Sequence, residues 1–344
     1  MPAMPVMNDD SSATALDAVA AACRVARTVQ RGAAAQQITK DDRSPVTVAD
    51  FAVQAIVAMA LRDSMPQVHI VGEERAGVLR QPEHDAVRRA VVEAVRTVRP
   101  DAGDDDVLGA IDGCDHDATA DSYWALDPID GTKGFLRGGQ YAIALARLEG
   151  GRVVLGIMGC PNLSADRQRP FDDPDPTGVI YVAREGGGCR QYAADSPGLD
   201  PTPVLNEHGL SAFNPGQIVR ICESVESAHS RHTDSQRVAS HLGLAVEYAR
   251  LDSQCKYAVV ARGQADAYLR MPTRKDYVEK IWDHAAGSLI ATQAGAVVTD
   301  LTGSPLDFGR GRRLEANRGV VCAVGRVHPM IIRAIDELGI AVAV

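Results

Sequence analysis

Two aspartates, Asp127 and Asp130, lie three positions apart within residues 124–137, separated by a proline and an isoleucine. The apolar run 123–126 precedes them and predicts a buried strand that ends at the first aspartate. Pro128 fixes its own φ, lacks an N–H group and biases Asp127 towards extended geometry. We therefore expect a sharp turn that returns Asp130 towards Asp127. Two hard oxygen ligands that converge at a strand end suit Mg²⁺.

The residues that follow the two aspartates favour a phosphate ligand. Gly131 permits close approach of backbone and ligand, and backbone N–H groups at a helix start can hold a phosphate oxygen. The hydroxyl of Thr132 can orient a water molecule there. Phosphoryl chemistry of this kind needs two neighbouring cations, and further carboxylates are available at Asp50, Glu73 and Asp283.

Each of these further carboxylates also has a structural explanation. Asp50 is the third residue after Thr47, the spacing of a helix capping box. Glu73 can lie in a solvated turn, and Asp283 can cap a helix whose first turn holds His284. The paired aspartates of the apolar strand are harder to explain in this way, because like charges repel unless water or a cation neutralises them.

The length of 344 residues predicts two lobes, since it exceeds that of a typical single domain. Residues 194–216 are rich in proline, asparagine and glycine and form the predicted linker. We place an α+β lobe at 13–205, with helices at 13–31 and 47–62 before a run of short strands. An α/β lobe of alternating strands and helices follows at 206–344.

Two further stretches are predicted to be exposed loops. Residues 101–121 are acidic, and the run 104–106 of three aspartates is interpreted as a solvated face. Residues 161–177 hold four prolines and four aspartates, which indicates a loop between strands.

The overall charge excludes several classes of partner. A net charge of −9 disfavours nucleic-acid polymers and anionic membrane surfaces. We find neither a secretory signal nor the roughly 18 uninterrupted apolar residues of a membrane span. The seven cysteines are scattered without a C-x-x-C pair, which favours free thiols in a reducing compartment. We therefore expect a cytoplasmic protein, and a monomer.

Two bases in the second half of the chain, Lys256 and Arg270, have two interpretations. They can be ordinary surface residues. They can also neutralise a second phosphate on a substrate, arginine through a two-pronged contact and lysine as a point charge. Spacing alone leaves both open.

Three short motifs together resemble those of a known family. They read Gly-Glu-Glu at 72–74, Asp-Pro-Ile-Asp-Gly-Thr at 127–132 and Trp-Asp-His-Ala-Ala-Gly at 282–287. In this order they are similar to the motifs of the inositol monophosphatase superfamily, which are Mg²⁺-dependent, lithium-sensitive phosphatases. Within it the chain most resembles the 3′(2′),5′-bisphosphate nucleotidases. Residues 133–135 read Lys-Gly-Phe where simple inositol monophosphatases usually carry Thr-Asn-Phe, and 251–257 reads Leu-Asp-Ser-Gln-Cys-Lys-Tyr.

The resemblance implies roles for individual residues and a fold. The fold is a layered αβαβα sandwich, with a mostly antiparallel sheet in the first lobe and a mixed sheet in the second. Asp50 and Thr132 match the pair that activates the attacking water. The matching ligands of two or three Mg²⁺ ions are Glu73, Asp127, the carbonyl of Ile129, Asp130 and Asp283. Positions that match substrate contacts are His229, Ser253, Lys256 and Arg270, together with Thr132 and Asp283.

These observations predict a Mg²⁺-dependent phosphatase that removes the 3′-phosphate of adenosine 3′,5′-bisphosphate and also acts on the sulfated nucleotide precursor. A first alternative keeps the chemistry and takes an inositol phosphate as substrate. A second is a nucleotide sensor without turnover, whose usual mark would be the loss of a metal ligand.

Overall fold

Two large β-sheets, a separate two-stranded sheet and three layers of helices make up the part of the chain that the computed structural model describes. This part comprises residues 9–32, 37–39, 45–198, 200–206, 218–225, 232–274 and 277–341. Among these residues, no helix is both long and apolar enough to cross a membrane.

The first layer is helical. The second of its helices begins as the sequence predicts, because Thr47 caps it and the capping box with Asp50 is present. Apolar side chains such as Val19, Phe51 and Ile56 are buried between this layer and the sheet beneath. The elements of this part are α1 (Asp9–Arg31), the strand pair β1 (Gln37–Thr39) and β2 (Pro45–Thr47), α2 (Val48–Ser64), α3 (Asp85–Arg96) and α4 (Asp104–Asp112).

A seven-stranded sheet forms the second layer. Its strands neighbour one another in chain order, and each pair is antiparallel except the first. A short helix, α5 (Thr132–Leu136), follows the second strand. The strands are β3 (Ile70–Gly72), β4 (Ser122–Asp130), β5 (Ala142–Glu149), β6 (Arg152–Cys160), β7 (Val179–Arg184), β8 (Gly188–Ala193) and β9 (Thr202–Val204).

The central layer consists of the helices α7 (Cys255–Ala261) and α8 (Ala285–Gln293). One hydrophobic cluster joins it to both sheets: it contains Ala144 of the first sheet, Tyr257 of α7 and Cys322 of the second sheet. Because both of its sides face a sheet, this layer is buried almost completely.

A mixed five-stranded sheet forms the fourth layer, in the order β11-β10-β12-β14-β13. The pairs of β10 are parallel and those of β14 antiparallel. Two helices cover its outer face, α6 (His232–His241) and α9 (His328–Glu337). The strands are β10 (Val219–Glu223), β11 (Val246–Arg250), β12 (Ala267–Arg270), β13 (Ala296–Thr299) and β14 (Val320–Val324). The predicted αβαβα sandwich is confirmed, with the predicted character of each sheet.

Two predictions about irregular segments need correction. The acidic stretch 101–121 is not a loop throughout, because it contains α4. Its three aspartates form the exposed first turn of that helix, where their charge complements the positive end of the helix dipole. The predicted linker 194–216 contains β9, and residues 207–216 lie outside the described part. The division into lobes at 205 and 206 stays a prediction.

Candidate active site

A β-bulge places Asp127 and Asp130 on the same face of β4. Asp127 pairs with Ala144 of β5 and Asp130 pairs with Ala142, so three steps along β4 match two along β5. Paired residues share a face of the sheet, as do residues two positions apart on one strand. The extra residue therefore turns an odd spacing into a common orientation. The strand continues through Pro128 instead of turning sharply after Asp127, and a bulge is one of the few places where a sheet tolerates proline.

Asp127 lies in an environment that calls for a cation. Its side chain is buried, and Oδ1 has no hydrogen-bond partner among the described residues. Burial raises the pKa of Asp127 well above its usual range, and the carboxylates of Glu73, Asp130, Asp283 and Asp50 raise it further. A buried carboxylate is costly to ionise without an opposite charge. Several carboxylate oxygens around a partnerless one are the donor set that Mg²⁺ prefers, so the residues present fit this ion.

Asp50 has two roles, one for each carboxylate oxygen: it forms the capping box of α2 and it faces the site. Its Oδ2 accepts hydrogen bonds from the backbone N–H of Thr47 at 2.8 Å and from the Thr47 hydroxyl at 2.7 Å. Its Oδ1 lies 3.5 Å from Oγ1 of Thr132, which is also 3.2 Å from the carbonyl oxygen of Ile129. The helix cap thus holds Asp50 rigidly while its other oxygen faces Thr132 across the site.

The loop that carries Glu73 is fixed, and is not a freely solvated turn. Gln54 on α2 binds the next residue twice: its Nε2 donates to the carbonyl of Glu74 and its Oε1 accepts from the Glu74 N–H, both at 2.9 Å. On the other side, Arg312 donates to the carbonyl of Gly72 at 2.8 Å. The half-buried Glu73 is therefore held between two anchored neighbours.

Gln254 connects the two segments that carry Asp130 and Asp283. Its backbone N–H donates to Oδ2 of Asp130. Its side chain donates from Nε2 to the carbonyl of Trp282 at 2.9 Å and accepts from the N–H of Gly287 at 3.2 Å. The side chain is buried. One neutral residue thereby fixes the distance between carboxylates about 150 positions apart in the chain.

Asp283 is not the cap of the helix that follows it. That helix, α8, begins at Ala285, and its N-cap residue is His284, without a side-chain cap hydrogen bond in the described part of the chain. Burial raises the pKa of Asp283 well above its usual range; Arg270 acts against this shift and Asp130 adds to it. Asp283 thus belongs electrostatically to the carboxylate cluster, and not to the helix end.

The start of α5 packs very closely against the turn 251–256. Gly131 has a φ of +86°, and a Cβ there would lie 2.9 Å from Cβ of Ser253. A Cβ at Gly134 would lie 2.7 Å from Cβ of Asp252. These distances leave no room for a side chain. A side chain at 134 would therefore displace both the Gln140 carbonyl and the turn 251–256 from α5.

Lys256 braces this turn from beneath. Its buried ammonium donates to the carbonyl oxygens of Leu251 at 3.1 Å and Ser253 at 2.7 Å. Ser253 adopts a left-handed backbone with φ of +69°, which is rare outside glycine and clusters at functional sites. The positive charge of Lys256 also acts to lower the pKa of Asp130. The nucleotide contacts of Lys256 and Ser253 stay predictions.

Arg270 is the end of a buried polar chain. Its Nε donates to Oε1 of Glu279 at 2.8 Å, and Oε2 of Glu279 lies 3.1 Å from Nε2 of His284. Nδ1 of His284 in turn lies 2.8 Å from the hydroxyl of Tyr257. Burial lowers the pKa of His284, which favours the neutral ring. Since a carboxylate only accepts, the neutral ring carries its proton on Nε2, and Nδ1 accepts from Tyr257.

Glu279, Asp283 and His284 offer ligand atoms that all lie within 4.8 Å of one another, a spacing that can hold a metal ion. Both oxygens of Glu279 are already engaged, however, one by an arginine and one by the histidine. We therefore interpret this cluster as a support for the site beside it.

The structure brings the predicted metal ligands and the predicted water-activating pair together around Asp127, with Arg270 near them. His229 lies outside the described residues. The sequence did not assign a role to Gln54, Gln254, Glu279 or Arg312, which hold these residues in place. Gln254 lies within the stretch 251–257, and Gln54 and Glu279 lie a few positions from Asp50 and Asp283, but Arg312 is distant from every motif and carried no signal.

The comparison with known protein families agrees with the motifs. The family described as the inositol monophosphatase family matches residues 8–339. The chain belongs to this family. The match covers nearly the whole chain and therefore includes every motif of the site.

Individual family members are also similar over most of their length. The 3′(2′),5′-bisphosphate nucleotidase of Schizosaccharomyces pombe is 42% identical over 315 residues, covering 89% of this chain and 88% of the relative. The protein of the same name from Emericella nidulans is 41% identical over 323 residues, covering 88% and 90%. Among solved structures, an IMPase of Thermotoga maritima has a TM-score of 0.63 at 18% identity, covering 96% of this chain and 98% of that one. The structural likeness supports the family fold.

Proposed function

We propose that the chain is a Mg²⁺-dependent phosphatase that removes the 3′-phosphate from adenosine 3′,5′-bisphosphate, leaving AMP and phosphate. The same site would accept the sulfated nucleotide precursor. The observation that carries the proposal is the set of buried and half-buried carboxylates around the partnerless oxygen of Asp127, with an arginine beside it. The similarity to proteins named 3′(2′),5′-bisphosphate nucleotidase supports the choice of substrate.

Four carboxylates and one carbonyl group would hold the metal. When bound there, two or three Mg²⁺ ions would neutralise charge on the phosphoryl oxygens and polarise a water molecule. The proposed ligands are Glu73, Asp127, Asp130, Asp283 and the carbonyl oxygen of Ile129.

Asp50 and Thr132 would prepare the attacking water. With the Ile129 carbonyl bound to metal, the Thr132 hydroxyl would donate to Oδ1 of Asp50, 3.5 Å away, which leaves its oxygen free to accept a hydrogen bond from water. Asp50 then receives the proton that the water loses, through this hydroxyl. The second oxygen of Asp50 is bound by Thr47, so the carboxylate is held towards the Thr132 hydroxyl before substrate arrives.

The second phosphate of the nucleotide would be recognised by basic residues. Arg270 supplies a planar set of donors suited to a phosphate, and Lys256 adds a positive charge from beneath the turn. Ser253 and His229 complete the proposed nucleotide contacts.

The first prediction separates this substrate from an inositol phosphate. With Mg²⁺ present, we expect kcat/KM for adenosine 3′,5′-bisphosphate to exceed that for inositol 1-phosphate by about 100-fold or more, since only the nucleotide offers a second phosphate. Phosphate release from equal concentrations of the two substrates measures this ratio. A ratio below one would favour the inositol phosphatase, and nucleotide binding without any turnover would favour a sensor.

A further inference from the structure

We propose that Glu279 is a positioning residue that makes the site select doubly phosphorylated substrates, by fixing the orientation of Arg270. The identity of the substrate rests on the proposed function. The role of Glu279 itself is inferred from its contacts. It can be tested with either a nucleotide or an inositol phosphate, whichever the protein hydrolyses.

Glu279 is a buried carboxylate that stays ionised. Its side chain is 2% exposed. Burial acts to raise the pKa of Glu279, but Arg270 and His284 bring it down to about 2. A buried carboxylate that stays ionised is costly unless its partners are held in good geometry. The fold therefore contains a fixed negative charge beside a cluster of acids that already repel one another, and this arrangement needs an explanation beyond stability.

The geometry of the guanidinium is the second argument. Glu279 binds Arg270 through Nε, on the edge of the guanidinium nearest the chain, at 2.8 Å. At the far end, Nη2 donates to the hydroxyl of Tyr277 at 3.1 Å, and the guanidinium carbon lies 5.8 Å from the centre of that ring. Two hydrogen bonds, to Glu279 and Tyr277, and the contact with the Tyr277 ring restrict the rotation of the group. A prealigned guanidinium loses less entropy when it binds a phosphate.

The position of Arg270 is the third argument. Arg270 binds Glu279, which offers a carboxylate oxygen within 4.8 Å of one of Asp283, so the guanidinium lies beside the proposed metal ligands. Without Glu279, the guanidinium would be drawn to these carboxylates and would no longer be available to a ligand. By binding Nε, Glu279 would hold Arg270 away from these carboxylates and leave its remaining donors for a second phosphate.

The segment between Tyr277 and Asp283 strengthens this coupling. It carries both groups that restrain Arg270 as well as Asp283 itself. His284 directly follows this segment. Its Nδ1 binds the hydroxyl of Tyr257 on α7, and its Nε2 binds the second carboxylate oxygen of Glu279. The segment 277–283 therefore fixes both Arg270, which would bind the second phosphate, and Asp283, a proposed metal ligand.

The test compares two substrates that differ by one phosphate. Adenosine 3′,5′-bisphosphate and adenosine 3′-monophosphate are assayed with Mg²⁺, and the ratio of their kcat/KM values is recorded. In Glu279→Gln we expect this ratio to fall about 10-fold, through a higher KM for the bisphosphate, since a charge-assisted hydrogen bond that directs Arg270 is lost. Equal losses on both substrates would overturn the proposal, because they would indicate a general structural role.

A double-mutant cycle keeps the test valid if Glu279→Gln is unstable. Arg270→Gln/Glu279→Gln removes both buried charges together and is expected to fold, as a thermal unfolding midpoint near that of the wild type would verify. In the Arg270→Gln background, Glu279→Gln should not lower the substrate ratio further. An additional loss there would show that Glu279 does not act through Arg270, and would overturn the proposal.

A matched control lies at the other end of the same strand. Asp266 precedes β12 and pairs with Arg326 at 3.4 Å, with both side chains largely buried. Asp266→Asn should leave the substrate ratio unchanged. If the wild type does not hydrolyse the nucleotide, the proposed function fails separately. The ratio is then measured with inositol 1,4-bisphosphate and inositol 1-phosphate, where the same fall in Glu279→Gln supports the proposal and its absence overturns it.

Discussion

Asp127→Asn is expected to lower Mg²⁺-dependent turnover by about 10³-fold or more. The substitution keeps the size of the side chain but removes a charge from the centre of the carboxylate cluster. Metal held there would supply several kcal/mol of stabilisation of the transition-state charge, and each 1.36 kcal/mol corresponds to about tenfold in rate. Steady-state phosphate release over a Mg²⁺ titration measures the loss.

The same variant is expected to be more stable than the wild type without metal. A carboxyl whose pKa rises on folding destabilises the folded state at neutral pH, since the unfolded chain ionises it freely. Asparagine removes this cost. It also removes the ligand, so the rise in unfolding temperature that Mg²⁺ gives the wild type should largely disappear. Asp105→Asn, in the exposed first turn of α4, is the control: it should not raise the metal-free stability, since its charge favours the helix dipole, and it should keep the stabilisation by Mg²⁺.

Near-normal Mg²⁺-dependent turnover of Asp127→Asn would mean that the site assignment is wrong. A loss of turnover accompanied by a lower metal-free unfolding temperature would instead point to a damaged fold, and would contradict the electrostatic explanation.

Thr132→Val is expected to lower kcat by about 10²-fold with little change in KM. Valine keeps the shape of threonine but removes the hydroxyl that lies between Asp50 and the carbonyl of Ile129. Loss of a positioned proton acceptor typically costs a factor of this size. Because no proposed metal-binding side chain changes, the stabilisation by Mg²⁺ should remain, which a thermal unfolding experiment with and without metal tests.

Thr132→Ser is the matched control, since it restores the hydroxyl without the methyl group. We expect its kcat to lie within about tenfold of the wild type. If serine and valine lower kcat equally, the hydroxyl has no part in preparing the water. The proposed role of Asp50 then fails with it.

The sequence predicted the fold well where a local pattern decides the structure. The capping box from Thr47 to Asp50 correctly placed the start of α2, and the apolar run before Asp127 correctly indicated a buried strand. The strand was not expected to continue past Pro128. That error has a physical cause, because a bulge is set by the register with β5 and not by the residues of β4 alone.

The site residues that the sequence did not reveal are those that only hold other side chains or loops in place. Gln254 is neutral and has no chemistry of its own, yet it links two carboxylates that are distant in the chain. Glu279 looks like an ordinary charged residue until its burial against Arg270 is known. The helix α4 was missed since its acidic first turn resembles a solvated loop in composition.

The identity of the nucleotide left after turnover shows which phosphate the protein removes, and so tests whether it is a 3′-phosphatase. Adenosine 3′,5′-bisphosphate is incubated with the protein and Mg²⁺, and the products are separated and identified by ³¹P NMR. We expect adenosine 5′-monophosphate and one equivalent of phosphate, because in the proposed function the 3′-phosphate would lie at the carboxylates while Arg270 would hold the 5′-phosphate. Formation of adenosine 3′-monophosphate, or release of no phosphate at all, would contradict it.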